Sequence, residues 1–264
     1  MDTISYEIKP IFMPSANICN NFARVQISRL SAEDQEKLSF YKHITPDYFN
    51  TLPPEERPAA LAEWRRLFAY NNLESAYLNT WNMESNVFAF AAYVGDEMVG
   101  FTTGSLNGAN MFTRSLYVLP QYQGCGIGSS LLNSAENAAS LVSPKMELFS
   151  LAGAVSFYQN RGYKNTVVLG RVMKIKKLSN ATGVQPVFKW CDKLQSKLNL
   201  KFDANLLQKN KHQPIFVYVN DQQKIDGIAV QTPNGEQQIK VNPKAKISSP
   251  IYTQKLSDAL SRSL

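Results

Sequence analysis

The chain of 264 residues is poor in the side chains that build metal centres and covalent scaffolds, with two histidines and three cysteines. Cys19, Cys125 and Cys191 are odd in number and far apart, and no Cys-x-x-Cys or His/Cys cluster occurs. That argues against a disulfide framework and a structural zinc site, and it suits a reducing compartment. Long apolar runs are missing too. The most apolar stretch, Val87 to Val94, is far shorter than the ~20 residues of a membrane-spanning helix. Residues Met1-Asp2-Thr3-Ile4-Ser5-Tyr6-Glu7 have neither the basic start nor the apolar stretch of a secretory signal. The expectation is a protein without metal or membrane span, located in the cytoplasm. Secretion as an effector, by a signal that these rules do not read, stays open.

Arginine is scarce in one region. Residues 1–178 carry 16 basic and 15 acidic side chains, and residues 179–264 carry 12 and 6, so most of the net charge of +7 sits in the last third. Arg262 is the only arginine there; the rest of the basic residues are lysines, including Lys189, Lys193, Lys197, Lys201, Lys209 and Lys211. Phe188, Trp190, Phe202, Phe216 and Tyr218 lie among them. Interleaved lysines and aromatics can make a nucleic-acid surface, but the lack of the guanidinium fork argues against phosphate recognition. The charge step favours two units, 1–178 and a small basic α+β region at 179–264. The second is expected to serve acceptor specificity or to contact an acidic partner.

What is present is an ordered alternation of elements. Residues 1–30 read as a leader with a strand carrying Phe22, Val25, Ile27 and Leu30. Ser31 caps a helix that opens with Glu33 and Asp34. A helix with Leu61, Trp64, Leu67, Phe68 and Leu73 on one stripe runs from Pro58 to Leu78. Three strands follow, Val87 to Val94, Met98 to Leu106 and Phe112 to Leu119, separated by Gly95-Asp96 and Asn107-Gly108. Then come a helix from Gly126 to Val142, a strand at Met146 to Leu151, a helix at Ala152 to Arg161 closed by Gly162, and a strand at Thr166 to Ile175. Residues 179–184 read as a linker and Pro186 to Leu198 as an amphipathic helix. Strands at Pro214 to Asn220, Lys224 to Val230 and Gln237 to Val241 precede a helix from about Gln254. Consecutive strands with one local βα unit imply a mixed, mostly antiparallel α/β sheet and not a regular Rossmann repeat.

The chemistry concentrates after the strand that ends at Leu119-Pro120. The chain there reads Gln123-Gly124-Cys125-Gly126-Ile127-Gly128 and enters a helix at once. Glycines let backbone approach a ligand, and the free N–H groups of a helix start attract phosphate. A P-loop would need Gly-Lys-Ser/Thr, and no lysine is present. A dinucleotide fingerprint would need a third glycine where Ser129 stands, directly after a strand; Glu147 lies at a distance suited to a ribose, yet Pro120 to Gln123 intervene and no βαβ repeat surrounds the loop.

Gln123-x-x-Gly126-x-Gly128 resembles the acyl-CoA pyrophosphate signature of the GNAT acetyltransferases. The continuation strengthens the likeness: a strand, Met146 to Leu151, then Ala154-x-x-Phe157-Tyr158, then Gly162-Tyr163, in the family's order and spacing. The resemblance covers roughly residues 20–178. It implies the GNAT fold, acetyl-CoA or another acyl-CoA as donor, and N-acyl transfer to an amine of a protein or a small molecule. By the same resemblance Gln123, Gly124, Cys125, Gly126, Ile127, Gly128 and Ser129 bind the pyrophosphate, Leu116, Tyr117, Val118 and Leu119 pair through backbone with the pantetheine arm, Phe157 belongs to the cofactor site, and Tyr158 protonates the leaving thiolate. The sequence departs from the family at Leu151, where many members have an asparagine. A general base is not assigned. Glu74, Glu84, Glu147 and His43 are candidates, and each reads equally as a solvated side chain. Cys125 sits at a helix start, where a thiol is acidified, but no partner base accompanies it. The alternative activity is a GNAT fold that binds acyl-CoA without transferring it.

Overall fold

The computed structural model describes residues 4–263 apart from Met13, 84–86, 108–109, 169–170, Lys189, 203–206, 208–212, Pro233 and 246–248. Two sheets organise them. The first has seven strands: β1 (Glu7–Pro10), β2 (Val87–Val94), β3 (Glu97–Asn107), β4 (Asn110–Val118), β5 (Lys145–Leu148), β6 (Lys164–Val168) and β7 (Arg171–Lys177). Their spatial order is β1-β2-β3-β4-β5-β7-β6. Every pairing is antiparallel except β4 with β5. The mixed, mostly antiparallel sheet expected from the order of elements is therefore present.

Eight α-helices accompany the sheets among the described residues. They are α1 (Ala16–Ile27), α2 (Ala32–Tyr41), α3 (Arg57–Asn71), α4 (Leu73–Met83), α5 (Ile127–Ser140), α6 (Val155–Gln159), α7 (Asp192–Gln195) and α8 (Ser249–Arg262). Residues 1–30 hold a strand at β1, but helix α1 takes the place of the one expected to carry Phe22, Val25, Ile27 and Leu30. Ser15 caps it by accepting the Ile18 N–H, and Cys19, Phe22, Ala23 and Val25 are buried along one face. Phe22 stacks on Phe101 of β3 with ring centroids 4.3 Å apart, and that contact holds the helix against the sheet. Ser31 caps α2 as expected, accepting the Asp34 N–H at 3.1 Å. The single long helix expected over 58–78 is two helices that part at Asn72. The single strand expected over 166–175 is a hairpin, β6 paired with β7.

Helix α5 covers the other face of the sheet with Ile127, Leu131, Leu132, Ala135, Ala138 and Ala139. Apolar positions recur there at helical spacing, and burial of that stripe supplies most of the helix's stability. Gly104 of β3 shows how tightly the sheet is packed. A Cβ there would lie 2.3 Å from the Phe88 ring and 2.5 Å from the Phe112 carbonyl oxygen. Gly104→Ala is expected to cost ~1–3 kcal/mol through overpacking, measured as a lower urea midpoint at constant slope. A change within ~0.5 kcal/mol, the range of surface substitutions, would show that β3 can shift.

The second sheet has four strands, β8 (Gly183–Pro186), β9 (Ile215–Val219), β10 (Ile225–Gln231) and β11 (Gln237–Val241), ordered β11-β10-β9-β8 and antiparallel throughout. Helix α8 packs on it through Tyr252, Leu256 and Leu260. The stretch read as a linker, 179–184, thus runs into strand β8 at Gly183. The helix expected over 186–198 shrinks to α7, because the Val187 N–H continues the sheet by donating to the Ile215 carbonyl at 2.8 Å.

The second sheet is joined to α5. Leu141, just past the end of α5, packs with Val187, Trp190 and Leu194. The Lys193 ammonium donates to the Val142 carbonyl and the Lys197 ammonium to the Leu141 carbonyl, both at 3.2 Å. These cations meet the negative end of the α5 dipole. Phe188 packs edge-on to Phe90 of β2 at 5.3 Å. Within the second sheet Asp226 is 3% exposed and accepts from the amides of Asn199, Asn220 and Asn242 at 2.8, 2.7 and 3.1 Å. Among the described residues no helix is long and apolar enough to cross a membrane.

Candidate active site

The site begins with an irregularity in β4. Its register to β3 runs Thr103↔Ser115 and then Gly104↔Thr113, which leaves Arg114 as an extra residue. Such a bulge bends a strand and re-aims the residues beyond it. On its other edge β4 pairs with β5 only at Met111, Phe112 and Thr113. Beyond Leu148 the fifth strand has ended, and Arg114 to Val118 have no β5 neighbour. The sheet is therefore split open between β4 and β5, beside the residues expected to pair with the pantetheine arm, Leu116, Tyr117, Val118 and Leu119.

The glycine loop closes one end of this opening. Gly124 and Gly126 both have φ +83, a conformation that costs other residues ~1–2 kcal/mol. Gly126 is the N-cap of α5 and no side chain caps the helix. The N–H groups of its first turn therefore have no intrahelical acceptor and point out of the helix start. Gln123 turns back, its amide donating to the Val118 carbonyl at 3.1 Å. Cys125 is exposed. Gly128 brings the helix against neighbouring side chains: a Cβ there would be 3.6 Å from Val118 and 3.7 Å from Phe157. The loop, the end of β4 and Phe157 thus lie together, as the motif spacing implied.

Sequence reasoning missed the residue that ties these parts. The Arg161 guanidinium donates to the Ser129 hydroxyl and to the Phe157 carbonyl, and it lies 3.8 Å from the Phe157 ring centroid. It sets a positive charge beside the start of α5. Tyr6 of the N-terminal segment also reaches α5, with its hydroxyl 2.7 Å from that of Ser130.

Tyr158 is 7% exposed and packs edge-on against Phe157 and Tyr163. Among the described residues its hydroxyl has no hydrogen-bond partner. Burial, chiefly, and neighbouring Tyr117 push its pKa up to about 12, while Arg29 and Arg161 pull it down. The phenol is protonated near neutrality and can donate. Tyr117 is also raised, by burial and then by Tyr70, against Arg29.

The face of β4 opposite α5 is polar near this point. Tyr77 of α4 donates to the Gln26 side chain at 2.5 Å and lies 3.5 Å from the Ser115 hydroxyl. Burial raises its pKa well above the usual phenol range. None of the base candidates joins this group. Glu147 accepts from Asn110 at 2.6 Å, at the far end of β4. Glu74 and His43 are exposed, and Glu84 lies outside the described residues. Leu151, where a family asparagine would stand, is 65% exposed, and its side chain offers no hydrogen bond.

A family model described as an acetyltransferase (GNAT) domain matches residues 85–165. An uncharacterized N-acetyltransferase from Methanocaldococcus jannaschii is 30% identical over 129 residues, 44% of this chain and 82% of that protein. The chain belongs to the GNAT acetyltransferase family. Solved GNAT structures resemble it more distantly. The PaiA N-acetyltransferase from Thermoplasma acidophilum, in complex with coenzyme A, is 17% identical, with 66% of this chain and 99% of that chain covered at a TM-score of 0.43. An acetyltransferase from Thermus thermophilus is 16% identical, with 67% and 100% covered at a TM-score of 0.42. GNAT acetyltransferases use acetyl-CoA as donor. The residues present suit that molecule, because an uncapped helix start after two glycines of positive φ offers donors to a pyrophosphate. The open edge of β4 also offers backbone to an amide-bearing arm.

Proposed function

We propose that the chain is an N-acetyltransferase that moves an acetyl group from acetyl-CoA to a primary amine by direct attack. Residues 1–178 form the catalytic unit in this reading and 179–264 an accessory one. The observation that carries it is the juxtaposition of three features: the open β4 edge, the uncapped start of α5 and the unengaged hydroxyl of Tyr158. Gln123 to Ser129 hold the pyrophosphate through backbone N–H groups, with the Arg161 charge beside them. Leu116 to Leu119 hold the pantetheine arm, and pairing at Val118 requires the Gln123 amide to leave its carbonyl. Phe157 forms the wall between α5 and α6.

Acetyl-CoA supplies an activated acetyl thioester. The amine nitrogen forms a bond to the acetyl carbon while the carbon–sulfur bond breaks. Backbone N–H groups of β4 polarise the carbonyl, and Tyr158 gives the departing sulfur a proton, later regained from the amine through water. A dedicated carboxylate base is not required. Among the described residues the charged groups that act on Tyr117 and Tyr158 are Arg29 and Arg161, and a cationic, partly desolvated site lowers the pKa of an incoming ammonium. The amine then arrives neutral, its proton left to solvent.

Tyr158→Phe tests the assignment. The expected result is a kcat lowered ~100-fold with stabilisation by acetyl-CoA unchanged. An unaltered kcat removes Tyr158 from the mechanism. The second reading, a GNAT fold that senses acyl-CoA without transfer, is favoured by the absence of a carboxylate among these charged groups; CoA release in the presence of amines separates the two. The acidic partner proposed for the accessory unit would meet exposed Lys201, Lys224, Lys240 and Lys244, since Lys193 and Lys197 are engaged with the end of α5.

A further inference from the structure

Two arginines near the C-terminal end of α1 are used differently. Arg24 pairs with Glu97 at 3.3 Å and donates to the Met98 carbonyl at 2.7 Å. Arg29, just past the helix, is exposed and has no carboxylate partner among the described residues. Its guanidinium lies over the Tyr117 ring, 5.4 Å from the centroid. The carbonyl end of α1 favours a cation there, and stacking on Tyr117 fixes where that cation stands.

That place adjoins the reaction centre on the side left for the acceptor. Val118 faces α5, since it would touch a Cβ at Gly128. Alternation along β4 therefore turns Tyr117 to the opposite face, where Phe101 contacts it at 5.6 Å and itself stacks on Phe22 of α1. Gln26, Tyr77 and Ser115 line the same face. The donor's anionic end is assigned to the α5 face, so an amine meets the thioester from the α1 face. Among the described residues it meets neutral hydroxyls, the Gln26 amide and, in Arg29, a guanidinium without a carboxylate partner.

We propose that the acceptor is an amine that carries its own carboxylate, of the free amino-acid class, and that Arg29 receives this carboxylate while the amino group sits beside Tyr117 and Tyr158. This rests on the acyl-transfer reading above and narrows it. A guanidinium matches a carboxylate with two parallel hydrogen bonds. A polyamine or a lysine-rich segment would instead bring like charge to Arg29 and Arg161. Pairing also removes the negative charge that keeps an amino acid's own ammonium protonated, which helps the nitrogen arrive neutral.

The test uses the full chain loaded with CoA or acetyl-CoA, and neutral and acidic amino acids, their carboxamides, and spermidine. Binding is read by calorimetry on the CoA complex and transfer by thiol release, for wild type, Arg29→Met and Arg29→Lys. Wild type is expected to prefer carboxylate over carboxamide by at least about tenfold in Kd and KM. In Arg29→Met the preference collapses towards one, and Arg29→Lys keeps part of it. Equal affinity for acid and amide, a preference that survives in Arg29→Met, a better fit to spermidine, or no binding of any amino acid overturns the proposal. Binding with the expected ratio but without thiol release supports the acceptor site and counts against transfer, so the two readings fail separately.

Discussion

Gly126→Glu should abolish the stabilisation that acetyl-CoA gives the wild-type chain. A ligand at ~100 times its dissociation constant adds ~2.7 kcal/mol, roughly 5–10 °C in Tm for a chain of this size. Two effects act on the variant. Gly126 has φ +83, so any other residue strains the loop by ~1–2 kcal/mol. The new carboxylate would also stand at the uncapped start of α5 and occupy the donors that the pyrophosphate needs. Space is not the cause, because a Cβ would come no nearer than 3.6 Å to the Tyr6 hydroxyl. Gly126→Ala is the control, sharing the strain without the charge. Thermal unfolding with and without acetyl-CoA measures all three proteins. A Glu variant with the wild-type shift would move the pyrophosphate away from Gln123 to Ser129.

The second large effect belongs to the other sheet. Asp226→Ala is expected to cost ~2–4 kcal/mol. The carboxylate is the common acceptor for the side-chain amides of Asn199, Asn220 and Asn242. Two of these cannot turn away. The Asn220 carbonyl oxygen is held by the N–H groups of Gln222 and Lys224, and that of Asn242 by Lys244. Loss of the carboxylate leaves the buried Asn242 amide and the half-buried Asn220 amide without an acceptor, while Asn199 is exposed and can turn to water. Urea denaturation followed by Trp190 fluorescence reads the change. A loss below ~0.5 kcal/mol would show that water replaces the carboxylate.

The parts of this fold that were legible are those whose causes are local. Val87 to Val94 is a strand in sequence and structure alike, because an uninterrupted apolar run followed by Gly95-Asp96 has few other outcomes. The Ser31 hydroxyl caps a helix three residues on, and the glycines before α5 act through their own backbone, so spacing alone reveals them. Helix α1 was not legible. It has no acidic first turn, and Asn17, Asn20 and Asn21 are poor helix formers; its fate is decided by Phe22 against Phe101, far away in the chain. The hairpin of β6 and β7 hides in one strand-forming run, since Leu169-Gly170 between the two strands is not a strong turn dipeptide in sequence. The site divides the same way. Motif spacing points to Gln123 to Ser129, Phe157 and Tyr158. Arg29 carries no local signal at all, because only the packing of α1 on the sheet brings it to Tyr117. Arg161 lies inside the Phe157 to Tyr163 motif, at a position the motif does not specify.

Helix α5 is a wall shared by both halves of the molecule. One end of it meets the glycine loop, and the other ends in carbonyls held by Lys193 and Lys197. Its exit residue Leu141 is roofed by Val187, Trp190 and Leu194. A cut after residue 178 would therefore leave no finished surface on either side. The N-terminal piece would keep the glycine loop and Tyr158 but lose two ammonium caps and bare an apolar seam along Phe88, Met111 and Leu141. Failure of such a truncation to turn over would report a damaged wall and nothing about what the C-terminal part touches, so its role has to be sought one exposed lysine at a time.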